Sequence, residues 1–515
     1  MLPAWRPLAT VALLLICGTP AFALDGHWQP PGIHPTSATL ASVLAARDAA
    51  AGTASPEYAR RVERWTLQAG PTQLETTVTV RDADLRFQTR IAGALYVQGR
   101  AAGVRWRQTP NGLVRRIGAD VQGDDLDRWP LALFPYAAAD CRLLGETDEA
   151  PLRYVVEYRP EHDSPHWFFF DAASGRLTEE IEREGSRNVA FRFSVFRPIE
   201  GTLRPFAWHV NGAGGEADVA VATVDVHEIP PSAVALPASR SDALAAFEGD
   251  SADVPARFVR NRILVDATVN GEPGVFILDT GTTQILIDAG AAHRFGIQTT
   301  LGHGIVHDLS TGPVHFKDLA VQTAELTRFG ADGILGFDYF AGHIVHIDYG
   351  LHRVSFSQRG SFVAPAEARK FAVDYAEGMP LAAASVGSFS ASRIALDTGS
   401  SNVVLLRYLL EHGGASLADL GILEQQRVHT ASYLEGTIAL RDAAVPEIVF
   451  AGVRFRDDAV QLEVRNTGPA VDFPIDGIFG TQVLAQFEWW FDYDGGVAWV
   501  RLAQGLSPAA GGRSG

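Results

Sequence analysis

One short segment occurs twice in this chain. Phe276-Ile277-Leu278-Asp279-Thr280-Gly281-Thr282-Thr283 returns as Ile394-Ala395-Leu396-Asp397-Thr398-Gly399-Ser400-Ser401. Each copy joins a β-prone apolar run to an Asp-Thr-Gly turn and two hydroxyl residues. An internal repeat constrains architecture before local propensity does, because each copy builds a similar unit and the units pack on one another. The repetition continues downstream. Asp332-Gly333-Ile334-Leu335-Gly336 follows the first copy and Asp476-Gly477-Ile478-Phe479-Gly480 the second. Tails Ile347-Asp348-Tyr349-Gly350 and Phe491-Asp492-Tyr493-Asp494-Gly495 come next, with the same offset of 16 from Asp332 to Asp348 and from Asp476 to Asp492. Asp279 and Asp332 lie 53 positions apart, Asp397 and Asp476 79, so the second unit carries an insertion within 408–470.

These residues resemble the pepsin and retropepsin superfamily of aspartic peptidases. In that superfamily each lobe has an Asp-Thr/Ser-Gly turn and, later, a hydrophobic-hydrophobic-Gly segment beneath it. Here the matching segments are Asp279-Thr280-Gly281 with Ile334-Leu335-Gly336, and Asp397-Thr398-Gly399 with Ile478-Phe479-Gly480. The resemblance covers about 255–505 and is closest to a bacterial single chain with two retropepsin-like halves. It implies a mainly β fold: two β-barrel lobes related by pseudo-twofold symmetry, lobe 1 at 255–365 and lobe 2 at 366–505. It also implies that Thr280 and Thr398 donate across the axis, and that Asp279 and Asp397 form a catalytic dyad.

The chemistry follows from bringing two carboxylates together. Two adjacent anions cannot both ionise cheaply, so one proton is shared and the pair titrates as a unit. A water between them gives a proton to the ionised Asp as it attacks a carbonyl carbon, while the protonated Asp serves the carbonyl oxygen. Which Asp is the acid stays open at this point. Gly281 and Gly399 let the chain turn without a Cβ clash. Thr282 and Ser400 offer hydroxyls to the outer carboxylate oxygens, which favours ionisation. Tyr433 falls where a flap aromatic over the cleft would stand, with an ordinary strand residue as the alternative. His303, His307 and His315 read as flap or surface histidines, and no metal or other cofactor is expected.

Upstream, residues 1–23 read as a secretory signal: Arg6, an apolar run from Leu8 to Cys17, and Ala21-Phe22-Ala23 at the cleavage positions. Ile16 before Cys17 argues against lipoprotein anchoring. The expected location is periplasmic or secreted. Cys141 is then the one cysteine left, so no intramolecular disulfide is expected. A net charge of −17 without a basic cluster argues against nucleic acid and anionic membrane surfaces, and no membrane span is expected.

Residues 24–228 read as a separate β-rich antiparallel-sheet domain. A short helix from Ser37 to Ala50, capped by Ser37, precedes strands at Leu74–Val80, Ala94–Gln98, Arg153–Tyr158, Trp167–Asp171 and Val189–Phe196. The succession is similar to the curved sheet of bacterial lipoprotein-carrier proteins. Residues 229–254, rich in Pro, Ala, Ser and acids, read as a linker, and 506–515 as a disordered tail. Trp489-Trp490-Phe491 reads as packed core.

The expectation is an exported aspartic endopeptidase acting on a peptide or protein substrate, its catalytic unit able to work as a monomer. Two rivals stand beside it: an inactive peptide-binding scaffold of the same fold, and an envelope lipid or lipoprotein carrier. The intact Asp279 and Asp397 speak against the first, and the repeat against the second.

Overall fold

The computed structural model describes residues 30–503 except 118–137, 159–164, 185–186, 213–214, 240–243, 260, 376–377, 413–415, 419, 434–435 and 467–474. The expected signal segment and tail therefore lie outside the described residues. The fold is mainly β, in several sheets. No described helix is long and apolar enough to cross a membrane.

The N-terminal part is a 14-stranded antiparallel sheet. Its middle strands, Cys141–Thr147 through Gly215–Val226, run as a meander. The last of them pairs with Arg60–Ala69, from which a second meander continues to Val104–Gln108 and Val114–Ile117. Alternation makes these strands: in Arg60–Ala69 the buried positions recur every second residue, putting Trp65 and Leu67 inward. His166–Asp171 breaks that pattern, with five consecutive buried residues, because both of its faces are covered. The turn Ala172-Ala173-Ser174-Gly175 is closed by Gly175 N–H to the Asp171 carbonyl at 2.8 Å. The helix spans Leu40–Ala51 and is capped by Thr39, whose side chain takes the Ser42 N–H in a capping box. The expected Ser37 cap stands two residues too early. Val43 and Leu44 bury this helix in the same core as Trp65, Phe168, Phe191 and Trp208.

Each repeat unit is a ring of strands. In lobe 1, Arg262–Val269 pairs with Glu272–Leu278, which runs parallel to Gly333–Leu335. Leu286–Asp288, Val314–Ala324 and His303–Thr311 continue the ring, and the last returns to Arg262–Val269. The first hairpin turns at Asn270-Gly271, both with positive φ, the pair that suits a two-residue turn. Lobe 2 repeats the order with Leu381–Val386, Phe389–Leu396, Gly477–Phe479, Val403–Leu405, Val453–Asn466 and Gly436–Phe450. Its insertion is the extra strand Leu423–Tyr433, hairpinned onto Gly436–Phe450. Tyr433 stands at the end of that hairpin, and its side chain lies outside the described residues.

A six-stranded sheet ties the lobes together, in the order Ser251–Val254, Arg353–Ser357, Ile344–Asp348, Phe487–Asp492, Val497–Leu502, Arg369–Ala372. Its central pair consists of the two repeated tails, with Ile344 opposite Asp492 and Asp348 opposite Glu488. Trp489, Trp490 and Phe491 are buried there. The 229–254 stretch differs from a plain linker, since Ser251–Val254 is an edge strand of this sheet and Ala245–Ala246 pairs with Val314–Ala324. One buried cluster runs through both lobes, and it includes Leu113 from the N-terminal sheet.

Candidate active site

Each catalytic-type turn sits at the end of a strand held by its repeat partner. Asp279 N–H reaches the Leu335 carbonyl and Asp397 N–H the Phe479 carbonyl, both at 3.0 Å. The first residues of the downstream motifs staple these strands from below. The Asp332 carboxylate accepts Val275 N–H at 2.9 Å, and that of Asp476 accepts the N–H groups of Ser392 and Arg393 at 2.8 and 2.9 Å. Gly336 and Gly480 are required by space, since an added Cβ would run into the backbone carbonyls of Thr282 and Ser400.

The two turns interlock. Thr280 Oγ1 accepts Thr398 N–H at 3.0 Å and donates to the Leu396 carbonyl at 2.7 Å. Thr398 Oγ1 accepts Thr280 N–H at 3.0 Å and donates to the Leu278 carbonyl at 2.9 Å. Both side chains are buried. The Asp279 and Asp397 carboxyls face each other across this axis, each set against the glycine of the opposite turn. Neither Gly281 nor Gly399 has a positive φ, so backbone freedom is not what these positions demand. They demand room: a Cβ on Gly281 would lie 2.5 Å from the Asp397 carboxyl carbon, and one on Gly399 2.6 Å from that of Asp279.

The symmetry stops at the hydroxyls. Asp279 accepts Gly281 N–H at 2.8 Å and the Thr282 hydroxyl at 2.8 Å, one on each oxygen. Asp397 accepts the N–H groups of Gly399 and Ser400 at 2.8 and 3.2 Å, both on the same oxygen. Ser400 thus contributes its backbone, not the hydroxyl expected of it. Burial, and then the facing Asp279 carboxylate, push the Asp397 carboxyl well above the usual carboxylate range. Asp279 thus has a donor on each oxygen, whereas both donors to Asp397 converge on one.

Sequence reasoning passed over Tyr349 and Tyr493, although both stand at one position of the repeated tails. Their hydroxyls are buried, and among the described residues neither has a hydrogen-bond partner. Burial first pushes both phenols up and keeps them protonated, with Asp397 adding to it at Tyr349, and Tyr375 and then the two carboxyls adding to it at Tyr493. The Tyr493 ring lies 5.4 Å from that of Phe337, the residue after the lobe 1 Gly motif.

The three histidines scatter. His307 and His315 are exposed, but His303 is buried and contacts Tyr96 Oη of the N-terminal sheet at 2.5 Å. Burial lowers the His303 pKa to about 4, so its ring is neutral. Among the described residues the one grouping with metal-like geometry is His346, Asp348 and Glu488. There Glu488 is already committed, to His346 at 2.8 Å and to Arg501, and the Arg501 guanidinium supplies the positive charge a cation would bring. Cys141, the one cysteine among the described residues, has its thiol pushed up to about 11, mainly by burial, which keeps it protonated and a poor nucleophile.

A family model described as aspartyl protease matches residues 265–339. No curated protein matches the chain. Among solved structures, the chain is similar to a LolA superfamily protein from Nitrosomonas europaea, at 13% identity and TM-score 0.31, over 39% of this chain and 98% of that one. A putative outer membrane lipoprotein-sorting protein domain from Vibrio parahaemolyticus aligns at 12% identity and TM-score 0.26, over 36% and 90%. A retropepsin-like aspartic protease from Rickettsia conorii aligns at 17% identity and TM-score 0.18, over 22% of this chain and 94% of that one.

Proposed function

We propose that the protein is an exported aspartic endopeptidase, periplasmic or secreted, in which Asp279 and Asp397 hydrolyse peptide bonds as a dyad. The observation that carries this reading is the meeting of the two carboxyls across the reciprocal Thr280–Thr398 interlock. The match of 265–339 to the aspartyl protease family supports it.

Asp279, with a donor on each oxygen, is the ionised partner, and Asp397 holds the proton. A water between them passes a proton to Asp279 as its oxygen bonds to the substrate carbonyl carbon. Asp397 gives its proton to the carbonyl oxygen, which relieves the negative charge forming there. Asp279 then passes the proton it took from water to the amide nitrogen while a hydroxyl of the tetrahedral diol returns a proton to Asp397, and the C–N bond breaks to leave a carboxyl and an amine. No covalent intermediate is needed. The cleft between the lobes takes an extended peptide.

The test is hydrolysis of a mixed peptide library by the mature chain, with and without a statine-type peptide. Cleavage that the statine blocks is the expected result. Tight statine binding without cleavage would favour the inactive scaffold instead.

A further inference from the structure

The hairpin joining the last two strands of the N-terminal sheet, Val104–Gln108 and Val114–Ile117, enters the lobes. Asn111 clasps lobe 1 three ways: its Oδ1 accepts Ala320 N–H at 2.7 Å, and its Nδ2 donates to the Ala320 carbonyl at 3.0 Å and to Asp338 Oδ2 at 2.8 Å. Asp338 is wholly buried and lies two residues past Gly336 of the motif under the Asp279 turn. Leu113 is 2% exposed and belongs to the core of the lobes. Arg115, also buried, lies 5.1 Å from the Phe337 ring. Its guanidinium fills the space beside Gly378, where any side chain would collide with it, and Thr283 forms another wall of that space. One hairpin thus touches the underside of the lobe 1 turn and the chain leading into lobe 2.

A second chain of contacts reaches the segment just after the same turn. Tyr96 Oη meets His303, His303 meets the Gln322 amide at 3.3 Å, and Gln322 is bonded to Gln284. Gln284 follows Thr283 directly. His303 opens the strand that returns to the first strand of lobe 1, just as Gly436–Phe450 returns to the first strand of lobe 2. The tight turn Leu301-Gly302 is therefore the lobe 1 counterpart of the hairpin end at Tyr433. Leu301 and Ile305 pack on the core of the N-terminal sheet, so this turn is tied to that sheet.

We propose that Tyr96, Asn111 and Arg115 are positioning residues for the Asp279 half of the site, so that the working catalytic unit includes the N-terminal sheet. This rests on the dyad reading above.

The experiment compares full-length wild type with Tyr96→Phe and Asn111→Ala by hydrogen exchange, reading peptides over 279–288 and the matched lobe 2 stretch 397–406. Exchange should rise about tenfold in the lobe 1 stretch and stay level in the lobe 2 stretch, since local opening follows the contacts removed. Tyr96→Phe deletes one oxygen atom and tests the idea without cavity formation if Asn111→Ala folds poorly. In the peptide assay, kcat of Tyr96→Phe should fall about tenfold with KM nearly unchanged. Equal exchange in the two stretches of both variants would overturn the proposal. If wild type cleaves nothing, the dyad reading fails while the exchange comparison still decides this one.

Discussion

Thr280 and Thr398 each hold the other's backbone: each hydroxyl accepts the opposite N–H at 3.0 Å and donates to a carbonyl of the opposite strand. Four buried polar groups of the chain are satisfied by two side chains. Removing either hydroxyl leaves a buried N–H and a buried carbonyl unpaired, at about 1–3 kcal/mol each. Thr280→Val or Thr398→Val should therefore lower stability by about 3 kcal/mol, read as a shift in the urea midpoint. The double variant should cost less than the sum, because the two residues share one interface.

Asp279→Asn and Asp397→Asn should each nearly abolish hydrolysis, and the double variant should be little worse. Residues that act as a unit lose the same function once either is gone. Full activity in either single variant would refute the dyad.

The Thr282 and Ser400 hydroxyls should not be equivalent. Thr282→Val removes a donor from Asp279, whereas Ser400 serves Asp397 only through its N–H. We expect kcat to fall roughly tenfold for Thr282→Val, the worth of one charge-assisted hydrogen bond, and little for Ser400→Ala. Equal losses would argue against placing the charge on Asp279.

The pH dependence follows from the proton held on Asp397. Its raised pKa keeps the acid form available above the usual carboxylate range, so activity should extend towards neutral pH before falling. A pH–rate profile of kcat/KM checks this. Activity lost entirely above about pH 5, the range of an unperturbed carboxyl, would contradict it.

Asp338 makes a separate, purely structural prediction. Burial raises its pKa to about 6, partly offset by Asn111 and Arg115. A carboxyl with a raised folded pKa binds more protons in the native state. Its stabilisation is full below the unfolded value of 3.8 and is lost as pH rises towards 6. The loss is on the order of 3 kcal/mol over that window. Asp338→Asn should flatten the stability profile between those pH values in urea melts.

Much of the architecture was legible before any coordinates. The repeat located both turns, both Gly motifs and the tails that pair at the centre of the six-stranded sheet. The failures share one character. Ser37 looked as good a cap as Thr39, the composition of 229–254 hid the edge strand Ser251–Val254, and His303 looked like a surface residue.

The chain by itself determined that two Asp-Thr-Gly turns would face one another, because duplication writes the same strand, turn and supporting motif twice at matched spacing. Only the tertiary structure decided that Gly281 is needed to make room for the opposite carboxyl, and that the Thr282 hydroxyl reaches Asp279 while Ser400 serves Asp397 through its N–H. It alone joined Asn111 to Asp338 across 227 positions and Tyr96 to His303 across 207. Periodicity and repeats record how a segment relates to its neighbours in sequence. A contact between distant surfaces depends on how finished units dock, and that leaves no pattern in either segment.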